Sequence, residues 1–589
     1  MEVAVAPIEV STNNNNQTLP KTSIKTNEII STQKARLADQ DTQKALYGAL
    51  AYLEDNQIRP RKEKLSSLFT YSESKKGAKS HAIFNVGLFK SSHQLKLPSP
   101  LKVRNLVGEW PSQIHVFPNT LGKYSRTFAS VQDSNMFVTA FCAFPLHFIS
   151  EDLPENESKI IENMLQLAHE NIEEFRRGNS FNFWTEQPKQ YGETSRTGPL
   201  NLWVEMIDKL ARFYVNPKNR KMFDKLSENL RVPTAKWLIR CMDKSQNPNG
   251  ADTLFNVAND SDDSSVAIAI DYLQDGKLSS ANEKILKELA QFRDIDRSDI
   301  PHEDLDTWKG GETGAFLTWL KDEDIPTFEQ AEIGVIPGGF NNVDIVVNAN
   351  VIFALALADK QNTPGFNESC ELLARAIREK RWPEAGIYYP QLMIFPYAIT
   401  RAIRDGGAHH PALMAARPKL MQDVLDLATP SKQNNVLIYF PGGNDQSVDF
   451  STALALNTLM NLGEEVAREI GCLSKYQQVL EGGIRFLMSK AKYSTCNFKE
   501  TRKKFSASRL DKIVATWEDG LFFSSAYWDL AIWRSQSVTN AAVLETISKY
   551  LEAADKKPYE KVTANSKHGL VVRSYSINQF STGDWLAIV

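Results

Sequence analysis

Several things are scarce in this sequence, and each scarcity narrows its chemistry. Cysteine is rare and odd in number: Cys142, Cys241, Cys370, Cys472 and Cys496 are scattered, with no CxxC spacing. That argues against a disulfide scaffold or a cysteine-built zinc site and favours free thiols in a reducing, cytoplasmic compartment. The nine histidines form neither HxxxH nor HExxH, and the pair in AHHPA at 408–412 reads as a surface loop. Long apolar runs are missing too. The stretch from Val343 to Ala358 carries Asp344, Asn348 and Asn350, and it falls short of a bilayer span. No transmembrane segment is expected, although peripheral contact with a membrane stays compatible with the composition. Neither charge is in real excess: 68 basic and 71 acidic residues leave a net charge of −3. With no basic stripe interleaved with aromatics, nucleic acid is not an expected partner. GxSxG, Walker A and GxGxxG are absent as well, which disfavours serine hydrolases and nucleotide enzymes.

What remains is an ordinary globular composition, 42% hydrophobic and 24% charged, arranged as helices. Residues 1–40 read as a disordered tail without the basic and apolar regions of a secretory signal. A helical or irregular segment follows at 41–130, then a domain over 131–560 with room for an inserted subdomain at 150–245, then a C-terminal segment at 561–589. Two kinds of helix alternate in the long domain. SSANEKILKELAQF (279–292), NESCELLARAIREK (367–380) and LMQDVLDLA (420–428) are amphipathic, with apolar residues at three and four spacing. The others open on a polar cluster and continue apolar: QDSNMFVTAFCAF (132–144), DSDDSSVAIAI (260–270), NNVDIVVNANVIFALAL (341–357), YYPQLMIFPYAITRAI (388–403), NDQSVDFSTALALNTLMNL (444–462) and WRSQSVTNAAVLETISKYL (533–551). A helix apolar around most of its circumference is buried on most sides. The alternation predicts an all-α fold, an (α/α)6 toroid of inner and outer helices, with small accessory β hairpins near 80–118 and at 570–578. An α-solenoid is the rival, although its repeats would be more alike.

In a toroid the inner helices run parallel, so their polar openings meet at one end. Asp133, Asn135, Asp260, Asp262, Asp263, Asn341, Asn342, Asp344, Tyr388, Tyr389, Asp445, Asp449 and Arg534 would then rim one cavity, with Asn348 one turn into its helix. Capping is the plain alternative for Asn135, Asn341 and Asp445. For Asp260, Asp262 and Asp263 a cap explains one carboxylate, not three. Helix-terminal attraction lowers a carboxylate pKa. Crowding and desolvation raise at least one, which lets one aspartate stay protonated as a general acid while its neighbours orient it.

DSDDSSVAIAIDYL resembles the DxDD motif of class II terpene cyclases and squalene-hopene cyclases. The resemblance implies that the motif opens an inner helix of an (α/α)6 domain. It implies Asp262 as the acid that protonates an alkene or epoxide, Asp260 and Asp263 as supporting carboxylates, and an isoprenoid or other apolar small molecule as the partner. The repeated Gln-Trp motifs of the squalene cyclases and a clear second toroid are missing, as are the DDxxD and NSE-type motifs of metal-dependent synthases.

A cationic intermediate needs aromatic walls. Trp319, Tyr388, Tyr389, Trp517, Phe522, Phe523, Tyr527, Trp528 and Trp533 are candidates, with core packing as the alternative for each. The same acids with Asp344 offer hard oxygen ligands, so Mg²⁺ is the cofactor to test, although no metal ligand set is assigned. Arg534 and Lys309 are candidates for an anionic head group. Two other functions stay open. One is a glycan-processing toroid pairing Asp262 with Asp344 or Asp449, and the other is a non-catalytic toroid binding a lipid or protein.

Overall fold

The structure, a computed structural model, describes residues 41–60, 104–116, 129–150, 153–187, 196–201, 256–295, 308, 312–321, 334, 336, 341–442, 447–495, 513–525 and 531–553, with the short strands Ile83–Asn85 and Gln94–Lys96. Its helices are α1 (41–56), α2 (Met136–Ile149), α3 (Glu155–Glu173), α4 (Ser261–Asp275), α5 (Asn282–Gln291), α6 (Ile345–Leu357) and α7 (Phe366–Arg378). They continue with α8 (Ile394–Arg404), α9 (Pro411–Asp426), α10 (Val448–Leu462), α11 (Glu464–Glu469), α12 (Leu473–Lys490) and α13 (Gln536–Ala553).

Six of these helices form a closed cycle of contacts: α2 packs on α4, α4 on α6, α6 on α8, α8 on α10, α10 on α13, and α13 back on α2. They are the helices that open on polar clusters. Burial follows from their composition, since residues 261–271 of α4, 345–356 of α6 and 449–462 of α10 are buried without a break. The amphipathic helices lie outside this cycle. α3 packs on α2 and α4, α5 on α4, α7 on α6, α9 on α7 and α10, and α12 on α10 and α13. α7 shows why: Phe366, Cys370, Leu373, Ala374 and Ile377 make one buried stripe, while Glu371 and Arg378 face outward. α1 joins the outer layer through side chains. Tyr52 reaches Gln536 of α13 (3.1 Å), and Gln57, just past its end, donates to the Met164 carbonyl of α3 (2.8 Å).

A four-stranded antiparallel sheet stands where α2 and α13 begin. Its strands are β1 (Ser112–Val116), β2 (Ala129–Asp133), β3 (Gly520–Ser524) and β4 (Ala531–Ser535), in the order β3-β4-β1-β2. β4 pairs with β1, with Trp533 opposite Ile114. β4 runs into α13 without a loop, and β2 reaches α2 after two residues. β3 docks on the segment before α8, where the Ser524 amide donates to the Tyr388 carbonyl (2.8 Å). Gly520 allows this sheet to approach α10, because a Cβ there would fall 2.6 Å from the Phe450 ring.

The β-prone stretch at 80–118 does hold a hairpin, Ile83–Asn85 against Gln94–Lys96, whereas its part at 112–116 joins the four-stranded sheet, pairing with β2 close by and with β4 some 400 residues along the chain; 570–578 lies outside the described residues. The helices expected to begin near 390 and 535 begin at Ile394 and Gln536; Tyr388 and Tyr389 precede α8, where Pro390 disfavours helical backbone in the residue before it, and 533–535 are the end of β4. Within the expected insertion at 150–245, α3 packs as described above, whereas 202–255 lies outside the described residues. No helix among the described residues is long and apolar enough to cross a membrane.

Candidate active site

α4 starts where Asp260 takes extended backbone (φ −133°, ψ 162°) and its carboxylate accepts from the Asp263 amide at 2.7 Å. The cap is therefore Asp260, and Asp262 and Asp263 sit in the first turn, both buried. Two segments hold this turn in place. The Phe181 amide donates to the Ser264 hydroxyl (3.1 Å), and the Ser261 amide donates to the Thr318 carbonyl (2.7 Å). Trp319 bridges Asp260 through its backbone.

Asp262 points across to α6 and α8. Its Oδ1 accepts from the Asn350 side-chain amide at 2.8 Å, and its Oδ2 is bonded to the Tyr389 hydroxyl. Burial pushes the Asp262 pKa well above the usual carboxylate range, and the Asp260 charge adds to this. The bonds from Tyr389 and Asn350 pull it down without restoring it. Asp263 is raised likewise by burial and by Asp260, with which it shares a side-chain hydrogen bond, while burial lifts Asp260 to about 6. Burial thus favours the protonated form of Asp262 and of Asp263, because a desolvated carboxylate without a cationic partner is costly.

Asn350 carries Asp262 at one end and the Arg401 guanidinium at the other (2.8 Å to Oδ1). Neither Asn350 nor Arg401 is among the site residues expected from the sequence. The signal was present in both helices as a polar residue inside an apolar run, Asn350 in VNANVIF and Arg401 in AITRAI.

Above Asp262 lies a continuous aromatic wall. The Tyr389 ring lies 5.8 Å from Phe137 and 5.4 Å from Phe523. Phe523 also stacks on Phe183 (5.1 Å) and on Tyr388 (6.1 Å), and it meets Trp533 edge-on at 5.4 Å. From Phe137 the rings continue to Phe522 and Phe141. Those two, with Pro145, Ile394, Tyr397, Phe450 and Leu454, line an apolar cavity of only about 10 Å³. That is room for about one water and far below the volume of a small-molecule site, and Asp262 is not among the residues that line it.

The other expected site residues divide. Tyr388 belongs with the group: its hydroxyl accepts from Trp319 (3.0 Å) and from Asn342 (2.9 Å). Asp133 is wholly buried and holds the indoles of Trp533 (2.8 Å) and Trp184 (3.2 Å), and burial raises its pKa to about 6. Asp344 caps α6 through Val346 and Val347, and its second oxygen binds the amides of Ile387 and Tyr388. It is thus a clamp that sets the two tyrosines. Asn348 ties α6 to Phe316 and Ser369, away from Asp262. Asn341, expected as a cap, instead binds the backbone of Trp319 and Lys321 because Asp344 already caps that helix, whereas Asn135 does cap α2. Trp517 donates to the Leu487 carbonyl of α12, and Asp449 accepts from the Glu518 amide, so both stand apart from the aspartates. Arg534 pairs with Asp519 on the outer side. Asp445, Lys309, Tyr527 and Trp528 lie outside the described residues. Among the described residues no group of three or more acids, histidines or cysteines is arranged to hold a metal ion. The oxygens of Asp262 already engage Asn350 and Tyr389, so the residues present do not fit Mg²⁺.

No family model matches the chain, and no curated protein does. Solved structures do. The chain is similar to a type II terpene cyclase. That cyclase is MstE from Scytonema. A structure of it in complex with merosterolic acid A (product) is 11% identical and covers 88% of this chain and 99% of that one, at a TM-score of 0.42. Another, in complex with geranylgeranyl dihydroxybenzoate (substrate), is 10% identical over 87% and 98%, at 0.41. A protein from Actinoplanes is 14% identical over 66% and 99%, at 0.28. Identities this low transfer no residue roles.

Proposed function

We propose that this protein is a cytoplasmic terpene-cyclase-like enzyme that cyclises an isoprenoid or similarly apolar substrate, with Asp262 as the general acid. In this reading the closed helix cycle is the inner ring of an (α/α)6 toroid, and α1, α3, α5, α7, α9 and α12 form the outer ring. The observation that carries the proposal is the buried Asp262 carboxyl, bonded to Asn350 and Tyr389 beneath a run of aromatic rings. In the first step the π electrons of the substrate's terminal double bond take the Asp262 proton, forming a C–H bond and leaving a carbocation on the adjacent carbon. Asp262 becomes a carboxylate held by Asn350. The cation then lies against ring faces, whose quadrupoles stabilise it. A later carbon-bound proton is lost to end the cyclisation. The cavity is small, so the substrate enters by shifting Tyr389 and the neighbouring phenylalanines away from the acid.

A glycan reading asks for a second carboxylate free to act with Asp262. Asp344 spends its oxygens on four backbone amides, and Asp449 stands apart, which favours the cation chemistry. Asp262→Asn tests the proposal. The introduced amide can meet both Asn350 and Tyr389 and leaves the Asp260 cap untouched, so folding should persist. Turnover of polyprenyl substrates and their epoxides, followed by mass spectrometry, should fall at least about 100-fold. Unchanged turnover, or a wild-type protein that converts none of them, would overturn the reading.

A further inference from the structure

We infer that Arg401 is a positioning residue that decides which oxygen of Asp262 carries the proton. The inference rests on the reading of Asp262 as the acid. Arg401 is 0% exposed, and its guanidinium sits among rings, 4.5 Å from the centroids of Phe144 and Phe353, 4.9 Å from Phe141 and 5.4 Å from Tyr397. No carboxylate pairs with it among the described residues, and two of its nitrogens, Nε and Nη1, have no hydrogen-bond acceptor there. A cation in such a place loses its hydration, a cost the ring faces offset only in part. Among the described residues its one directed polar bond is Nη2 to the Asn350 Oδ1.

That bond fixes Asn350. A carboxamide has an accepting end and a donating end of nearly the same shape, and its orientation follows from its partners. Arg401 can only donate, so Asn350 must turn Oδ1 toward it and Nδ2 toward Asp262. Asp262 Oδ1 therefore always receives a hydrogen bond, and when the carboxyl is protonated its proton is confined to Oδ2, with the Tyr389 hydroxyl, which donates to Oδ2 in the ionised form, turned to accept it. With the amide reversed, the carbonyl of Asn350 would take the Asp262 proton into a hydrogen bond directed at α6, away from any substrate. Asp262 would remain neutral but would be unable to deliver its proton.

Infrared spectroscopy of the substrate-free protein reads this directly. The carboxylic C=O band of Asp262 is identified by its loss in Asp262→Asn. Arg401→Met, which fills the ring cage but offers no donor, should shift that band and lower kcat about 100-fold, the scale of a misplaced reacting group, with KM little changed. Arg401→Gln, which can meet either end of the amide without leaving a hole, should shift or split the same band if the methionine variant does not fold. In an Asn350→Leu background the Arg401→Met change should add no further loss of kcat, because its effect passes through Asn350. An unmoved band in a folded Arg401 variant would overturn the inference, as would an equal loss of kcat in the two backgrounds. If instead the wild type converts no substrate while the band still moves, the proposed reaction fails and the proton placement stands.

Discussion

Glu109 should make the protein lose stability as pH rises toward 8, and a single substitution should remove the share of that loss due to this site. It is 1% exposed, and its carboxyl accepts from the Leu106 amide (3.0 Å) and meets the Ser134 hydroxyl. Burial first, and the Asp133 charge after it, push its pKa from 4.5 to about 8 against the pull of those two bonds. The folded value lies above the unfolded one. The stabilisation is therefore complete below pH 4.5, and it is lost as pH rises through about 8. Each pH unit inside that window costs about 1.4 kcal/mol, so between pH 6 and 8 the folded state gives up about 2 kcal/mol at this one site. Asp133 acts below this range, because burial raises it only to about 6. Glu109→Gln keeps an acceptor for Leu106 and a donor for Ser134 but cannot ionise. Urea unfolding followed by tryptophan fluorescence should give closely matched stabilities for the two proteins at pH 5, with the variant pulling ahead by about 2 kcal/mol between pH 6 and 8. Parallel pH profiles would refute the reasoning, since Glu109 would then be ionised in the folded state or reached by water.

Two further substitutions test the supports of the site. Asp344→Ala should cost about 3–5 kcal/mol, because it strands four amide donors, and thermal unfolding should register it; Asp344→Asn should recover only part. Lys549→Met should cost a similar amount, about 3–5 kcal/mol, by leaving the buried Glu545 without its cation. Adding Glu545→Gln should restore much of that stability, and a double-mutant cycle in urea would show the coupling.

The parts of this architecture that depend on local sequence were legible. The inner helices were expected to begin near 132, 260, 342, 390, 446 and 535, and helices begin at Met136, Ser261, Ile345, Ile394, Val448 and Gln536. Each start but that of α8, which follows Leu392 and Met393, is written in a polar residue placed just before an apolar run. The burial of Asp262 at a helix start was legible for the same reason, since three carboxylates in one turn exceed what a cap requires. Its partners were not. Asn350 meets Asp262 only because α4 and α6 pack in one particular register, and nothing near position 350 encodes residue 262. Asn348, chosen two places away, faces the other side of the same helix, and a period of 3.6 separates the two by more than half a turn. Trp517 was grouped with Phe522 and Phe523 because they are close in sequence, yet an intervening strand start turns it toward α12.

The sheet has a consequence for how the chain is made. Trp533 and Asp133, joined by a 2.8 Å hydrogen bond, are 400 residues apart, and β1 cannot find β4 until the ribosome has passed that point. At roughly 5–20 residues per second, the early helices spend tens of seconds with the faces that α13 will cover exposed. Assembly of the circle therefore finishes at one late seam, α2 against α13, and that seam carries the aromatic wall over the acid. A nascent chain that stalls before β4 would already hold Phe137, Tyr389 and Phe523 but lack Trp533 and α13, so the burial around Asp262 is completed only in a chain synthesised through α13.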